Sequence, residues 1–208
     1  MNPESLIFDI DGTLWDSRAL FAQGYNIQLR AEGLGHLAIS PEDFLAVFGK
    51  PTDQIADGVF PTVPKPVRYA LIARCIERAH AYMAGEPCRV GYPGIRETME
   101  KLAAKYRLFL VSNCECGYPE ICAGKLGITP YLTDTLCYGQ TKVSKGETIR
   151  RLMAKHRIES AVYIGDTQGD LDSAEQAGIP FIWASYGFGT VTHYAAKIDS
   201  FPELISIL

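Results

Sequence analysis

The sequence predicts an α/β fold built on a parallel sheet, with an all-helical segment inserted near its start. Three observations carry this expectation. The short apolar runs Leu6-Ile7-Phe8, Leu108-Phe109-Leu110-Val111 and Ala161-Val162-Tyr163-Ile164 each lead directly into acidic or hydroxyl residues, and apolar runs of this length, bounded by turn residues, mark buried strands. From Gly91 to the last such run, Phe181-Ile182-Trp183-Ala184, strands alternate with helical periodicity, which predicts crossover helices between parallel strands. Between the first and second runs, residues 17 to 88 show helical rather than strand periodicity.

Taken in order, the first strand delivers Asp9 and Asp11, one residue apart, at its end. Like charges a few ångströms apart resist joint ionisation unless a cation neutralises them or one carries a proton. Gly12 frees the backbone to turn sharply, Thr13 offers a hydroxyl, and Asp16-Ser17 reads as the cap of a following helix. Leu20, Phe21, Ile27 and Leu29 place an amphipathic helix there. PEDFLAVF and TDQIADGVF open short helices at Pro41 and Thr52, and Val67 to Met83 reads as a long one. Gly49, Pro51, Pro61, Pro64 and Pro66 punctuate them. The sheet resumes after Gly91-Tyr92-Pro93-Gly94, with a helix carrying Ile95, Met99 and Leu102 on one face. The second strand ends at Ser112-Asn113. A helix presenting Ile149, Leu152 and Met153 precedes the third, which runs into GDTQGD. The expected organisation is a Rossmann-like core of residues 1–16 and 89–208 around an all-helical insertion of residues 17–88, without internal repeats or low-complexity segments.

At 208 residues the chain is long enough for one core plus an insertion, and 47% hydrophobic content supports a packed globule rather than disorder. The formal net charge of −4, with no basic run, argues against nucleic acid as a partner. Attraction for an anionic ligand must therefore be local. No stretch approaches the roughly 18 to 20 apolar residues of a membrane span, and MNPESLIFDI lacks a basic segment followed by a signal-peptide core; the expectation is a cytoplasmic protein with no membrane partner. Cys75, Cys88, Cys122 and Cys137 are scattered through apolar segments, where reduced cysteine behaves as a small hydrophobe. Cys114 and Cys116 form a close pair just beyond Ser112, but one intervening residue and no second Cys or His cluster argue against zinc. His36, His80, His156 and His193 are isolated and read as structural or exposed.

The segment DIDGT, with its extension LWDS, resembles the first signature, DxDGT, of the haloacid dehalogenase superfamily of phosphohydrolases. Ser112-Asn113 looks like that family's second motif, and GDTQGD matches its fourth, GDxxxD. The resemblance spans essentially the whole chain and points to the helical-cap, phosphoglycolate phosphatase-like members. It implies Asp9 as nucleophile, Asp11 as general acid and then base, and the Asp9 carboxylate, the Asp11 backbone carbonyl and Asp166 as ligands of Mg²⁺. Ser112 and Asn113 would bind phosphoryl oxygens, and Asp170 would be a further acidic group supporting the site. The chemistry agrees, because a carboxylate can act as covalent catalyst and Mg²⁺ prefers carboxylates, substrate phosphate and water. The third motif requires a lysine to offset these carboxylates before a dianionic substrate, and TKVSKGETIRRLM offers Lys142 and Lys145. Lys145 is preferred because it directly precedes a helical pattern. Many relatives carry Lys-Pro where this chain has Lys-Gly, which leaves the register open by three residues.

The inserted helices look like the superfamily's cap, a lid that excludes water. Its substrate loop would correspond to Phe48 to Thr52, making Gly49 and Lys50 candidate substrate contacts, although Lys50 also reads as a solvated loop lysine. The function implied is Mg²⁺-dependent hydrolysis of a small phosphate monoester through a phospho-aspartate, by a monomer or homodimer. The alternatives are a phosphomutase like β-phosphoglucomutase, and a metal-binding regulatory module without turnover, which intact Asp9, Asp11, Lys145 and Asp166 argue against. A dehalogenase is disfavoured because Asp11 serves an alcohol leaving group that a halide does not need.

Overall fold

The computed structural model describes residues 3–87 and 90–208. Met1, Asn2, Cys88 and Arg89 lie outside the described residues, and so do the expected boundary between 88 and 89 and the placement of Cys88. The first strand, β1 (Ser5–Phe8), is buried along its whole length, as a strand covered on both faces must be. The chain then forms three helices, α1 (Arg18–Ala31), α2 (Thr52–Val59) and α3 (Lys65–Gly85). After these come α4 (Ile95–Ala103), β2 (Arg107–Ser112), α5 (Tyr118–Leu126), β3 (Leu132–Cys137) and α6 (Tyr138–Thr141). They are followed by α7 (Lys145–His156), β4 (Ala161–Gly165), α8 (Gln168–Ala177), β5 (Phe181–Ala184), β6 (Ala196–Ile198) and α9 (Leu204–Ile207). One compact unit takes the chain up to Asp16 and again from Val90 to Leu208; the other begins at Ser17.

In the first unit six strands form one parallel sheet, in the order β3-β2-β1-β4-β5-β6. The chain therefore builds outward from β1 on one side, then returns to β1's other edge. That reversal between β1 and β4 is a topological switch point, where open α/β sheets bind ligands beyond the strands' carboxyl ends. Register aligns Phe8 with Leu110 on one side and Ile164 on the other. Ile7, Phe109, Val111, Tyr163 and Phe181 from the sheet meet Ile149, Leu152, Leu171 and Ala174 from α7 and α8 in a buried core. Truncating Phe109 to alanine there costs about 3–5 kcal/mol by the usual cavity effect. Both helices are capped: the Ser144 side chain accepts from the Glu147 backbone N–H ahead of α7, and Thr167 with Asp170 forms a capping box on α8. Among the described residues no helix is long and apolar enough to cross a membrane.

In the second unit α1 and α3 pack closely at Gly24, where an added Cβ would lie 2.4 Å from the Ala79 Cα. Phe21, Tyr25, Phe44 and Phe48 form an aromatic cluster, with ring centroids as close as 4.8 Å between Phe44 and Phe48.

Several local expectations change. The buried face of α1 is Phe21, Ala22, Gly24, Tyr25 and Leu29, while Leu20 and Ile27 are half-buried. Close packing favours glycine and alanine at that face, which apolar periodicity overlooks. Ser17 holds the N-cap position of α1 with helical dihedrals, φ −90° and ψ 0°, and its side chain makes no capping bond. PEDFLAVF opens as a 3₁₀ turn, Pro41–Phe44, rather than an α-helix. Ser40 and Asp43 close that turn with a reciprocal cap. β3 and β6 were not expected: β3 carries Thr133, Asp134 and Thr135 at a sheet edge, and β6 has three residues.

Candidate active site

With Phe8, Leu110 and Ile164 in register, Asp9 just past β1, Ser112 as the last residue of β2 and Asp166 just past β4 gather at the same edge of the sheet. Asp9 is 1% exposed, and Asp166 and Asp170 are fully buried. Carboxylate oxygens of Asp9, Asp166 and Asp170 lie within 4.8 Å of one another. The Lys145 ammonium donates to Asp9 Oδ1 at 2.9 Å and to Asp170 Oδ1 at 2.7 Å. Its position follows from α7, whose first residue it is. Lys142 sits elsewhere: left-handed at φ 53°, it ends α6, is exposed, and pairs with Glu115 at 3.2 Å.

Asp166 is enclosed by backbone. Gly12 has φ +83°, and a Cβ there would lie 2.0 Å from Asp166 Oδ2; a Cβ at Gly187 would lie 2.3 Å from the Asp166 Cβ. The Phe188 N–H donates to Asp166 Oδ2 at 2.7 Å, the Thr13 hydroxyl to Oδ1 at 3.4 Å, and the Trp183 indole to the Asp166 carbonyl at 3.1 Å. Asp170 is tied at both oxygens. Its Oδ1 receives Lys145, and its Oδ2 receives the Thr167 N–H at 3.0 Å, the Thr167 hydroxyl at 2.7 Å and the Asp166 N–H at 3.2 Å.

Electrostatics divide the three carboxylates. Burial drives the Asp9 carboxyl up to about 7, with the Asp170 charge adding to the rise and Lys145 opposing it. Burial, Asp170 and Asp9 likewise push Asp166 well up. Burial works against ionised Asp170 too, yet Lys145 and Thr167 outweigh it and hold Asp170 below the usual carboxylate range. Lys145 answers in kind: desolvation disfavours its charge, but Asp170 and Asp9 raise its pKa overall. One ammonium thus satisfies Asp170 and leaves Asp9 and Asp166 short of positive charge. Two buried oxygen donors in that condition suit a hard divalent cation, which takes carboxylate ligands and supplies the missing charge. Asp9 and Asp166 are the residues that would hold it; Asp170, already occupied, supports Lys145.

Half-buried Asp11 accepts at Oδ1 from the Trp15 indole N–H at 3.2 Å and the Tyr118 hydroxyl at 2.5 Å. Ser112 is 6% exposed, and Asn113 follows it half-buried in a bend. Cys137, buried and paired with Ser112 across β2 and β3, lies near the Cys114–Cys116 pair, since the Gly139 N–H two residues on donates to the Cys114 carbonyl at 3.0 Å. The Cys114 contact and nearby backbone donors hold the Cys137 thiol down at about 7 despite burial. Gly49 and Lys50 belong to the helical unit, Gly49 at a positive-φ turn and Lys50 exposed.

Sequence reasoning missed Trp15, Tyr118, Trp183, Gly187 and Phe188. The stretch Ser185-Tyr186-Gly187-Phe188-Gly189 did carry a signal, two glycines just past a strand end, where close backbone approach is expected.

Residues 6–184 match the model of the haloacid dehalogenase-like hydrolase family. The chain belongs to that family. A phosphoglycolate phosphatase from Agrobacterium fabrum is 28% identical, over 97% of this chain and 91% of its own length. One from Rhodobacter capsulatus is 25% identical, over 98% and 96%. Among solved structures, a haloacid dehalogenase-like hydrolase from Streptococcus pneumoniae shares the fold, with a TM-score of 0.83 at 18% identity, covering 99% of this chain and 98% of its own.

Proposed function

We propose that the chain is a Mg²⁺-dependent phosphatase that hydrolyses a small phosphate monoester through a phospho-aspartate on Asp9. The observation that carries this reading is the buried Asp9–Lys145–Asp170 ion-pair chain beside Asp166. It gathers a nucleophile, its counter-charge and an unneutralised pair of oxygen donors at one strand-end crevice. Asp9 forms a bond to phosphorus as the bond to the ester oxygen breaks, and Asp11 gives that departing oxygen its proton. Asp11 then takes a proton from water as the water oxygen bonds to phosphorus and the Asp9–phosphorus bond breaks. Lys145 keeps Asp9 in place and sets positive charge beside the transferring group, while Ser112 and Asn113 donate to its oxygens. A divalent cation held by Asp9 and Asp166 would neutralise charge on the phosphoryl oxygens. Positioning and electrostatics carry most of the effect in such transfers.

The names of the relatives support 2-phosphoglycolate as the first ester to try, and Gly49 and Lys50 are proposed to sense the leaving group. The test is phosphate release from p-nitrophenyl phosphate and from a panel of small monoesters, with Mg²⁺ and after exhaustive chelation. Release that stops in EDTA and returns with Mg²⁺ is the expected result. No release from any ester contradicts the reading, and release undiminished by chelation contradicts its metal requirement.

A further inference from the structure

Trp15 and Tyr118 are both fully buried, with ring centroids 5.7 Å apart and planes tilted by 47°. Their polar ends converge on one oxygen. The Trp15 indole nitrogen lies 3.2 Å from Asp11 Oδ1 and 3.1 Å from the Tyr118 hydroxyl, which itself lies 2.5 Å from Asp11 Oδ1. An indole N–H donates and never accepts, so Trp15 shares its hydrogen between Asp11 Oδ1 and the Tyr118 oxygen, and the Tyr118 hydroxyl donates to the ionised Asp11 carboxylate. The tight turn makes the arrangement possible: the Gly12 N–H donates to the Trp15 carbonyl at 2.9 Å, and Asp11 and Trp15 form a β-bridge.

Buried tyrosine and tryptophan usually find some partner for their polar ends, and a backbone carbonyl is the ordinary one. Here both choose the same side-chain oxygen of the proposed acid–base residue. We infer that Tyr118 and Trp15 are positioning residues which hold the Asp11 carboxyl by one oxygen and so fix its orientation toward the leaving oxygen. The inference rests on the phosphatase reading, in which Asp11 serves the leaving oxygen.

A purely structural role would slow all substrates alike; a role through Asp11 depends on how much the leaving group needs a proton. Phenyl phosphate and p-nitrophenyl phosphate differ little in shape, but phenolate is much the poorer leaving group. The experiment measures kcat/KM for both esters with Mg²⁺ in wild type, Tyr118→Phe and Trp15→Phe. Tyr106→Phe serves as the control; its hydroxyl bonds the Leu208 carbonyl instead. Folding is followed by thermal melting. Tyr118→Phe should lose roughly tenfold or more on phenyl phosphate, a part of the roughly 10²–10⁴-fold that general acid catalysis contributes, and much less on p-nitrophenyl phosphate. Trp15→Phe should shift the ratio in the same direction, and Tyr106→Phe should leave it unchanged. An unaltered ratio in either folded site variant overturns the inference and leaves the phosphatase reading standing. A wild type that releases phosphate from neither ester overturns both.

Discussion

At Lys145 a buried ammonium faces Asp9 and Asp170, and removing it leaves Asp9, Asp166 and Asp170 buried together without the cation that pairs with two of them. Breaking a buried pair from one side costs about 3–5 kcal/mol. Lys145→Ala should therefore show a large fall in urea midpoint as well as in phosphate release. Lys142→Ala should stay within about 0.5 kcal/mol of wild type, because an exposed pair such as Lys142–Glu115 contributes little. The reverse ranking would contradict the electrostatic account. Gly12→Ala should also be severe, since its φ of +83° and the 2.0 Å approach to Asp166 Oδ2 leave no room for a methyl group. At this scale the sequence was legible wherever a residue stood at a strand end, as Asp9, Ser112 and Asp166 do. Tyr118 was not, because its partner Asp11 is brought to it by helix placement rather than by chain proximity.

The elements that carry the site are those the apolar pattern marks most strongly. β1 and β4 are buried throughout and β2 is buried from Leu108 on, because both faces are covered. β3 and β6, at the sheet's edges, mix polar residues into their faces or are too short to show a period. In the helical unit, α1 meets α3 through Gly24 rather than through a large apolar knob, so periodicity read the helix but not its contact face. Gly24→Val should destabilise the protein by about 1–3 kcal/mol through overpacking against Ala79, read as a lower thermal midpoint. An unchanged midpoint would mean that α1 and α3 do not pack as closely as described.

For the molecule as a whole, the site is a stability cost that a bound cation would relieve. The Asp9 carboxyl is driven from 3.8 up to about 7, and Asp166 rises as well. Without metal the folded protein thus binds these protons more tightly than the unfolded chain. The Asp9 penalty is absent below about pH 4, where both states are protonated, and grows as pH rises to about 7, and Asp166 adds a penalty of the same sign. In EDTA, Asp9→Asn should melt above wild type by a margin that widens over this range, and added Mg²⁺ should narrow it. A margin independent of pH would contradict the charge imbalance assigned to the cluster. The parallel sheet and helical insertion were legible from residues 6 to 184 because strand and helix periods differ so clearly; the charge balance was not, because it depends on which carboxylate the lysine reaches. The central claim is that Asp9 is the nucleophile, and the most direct test is the rate of phosphate release by Asp9→Asn beside wild type, with saturating Mg²⁺ and p-nitrophenyl phosphate. The account predicts a folded variant whose turnover falls by several orders of magnitude, since an amide cannot form the acyl phosphate; a folded Asp9→Asn protein turning over near the wild-type rate would contradict it.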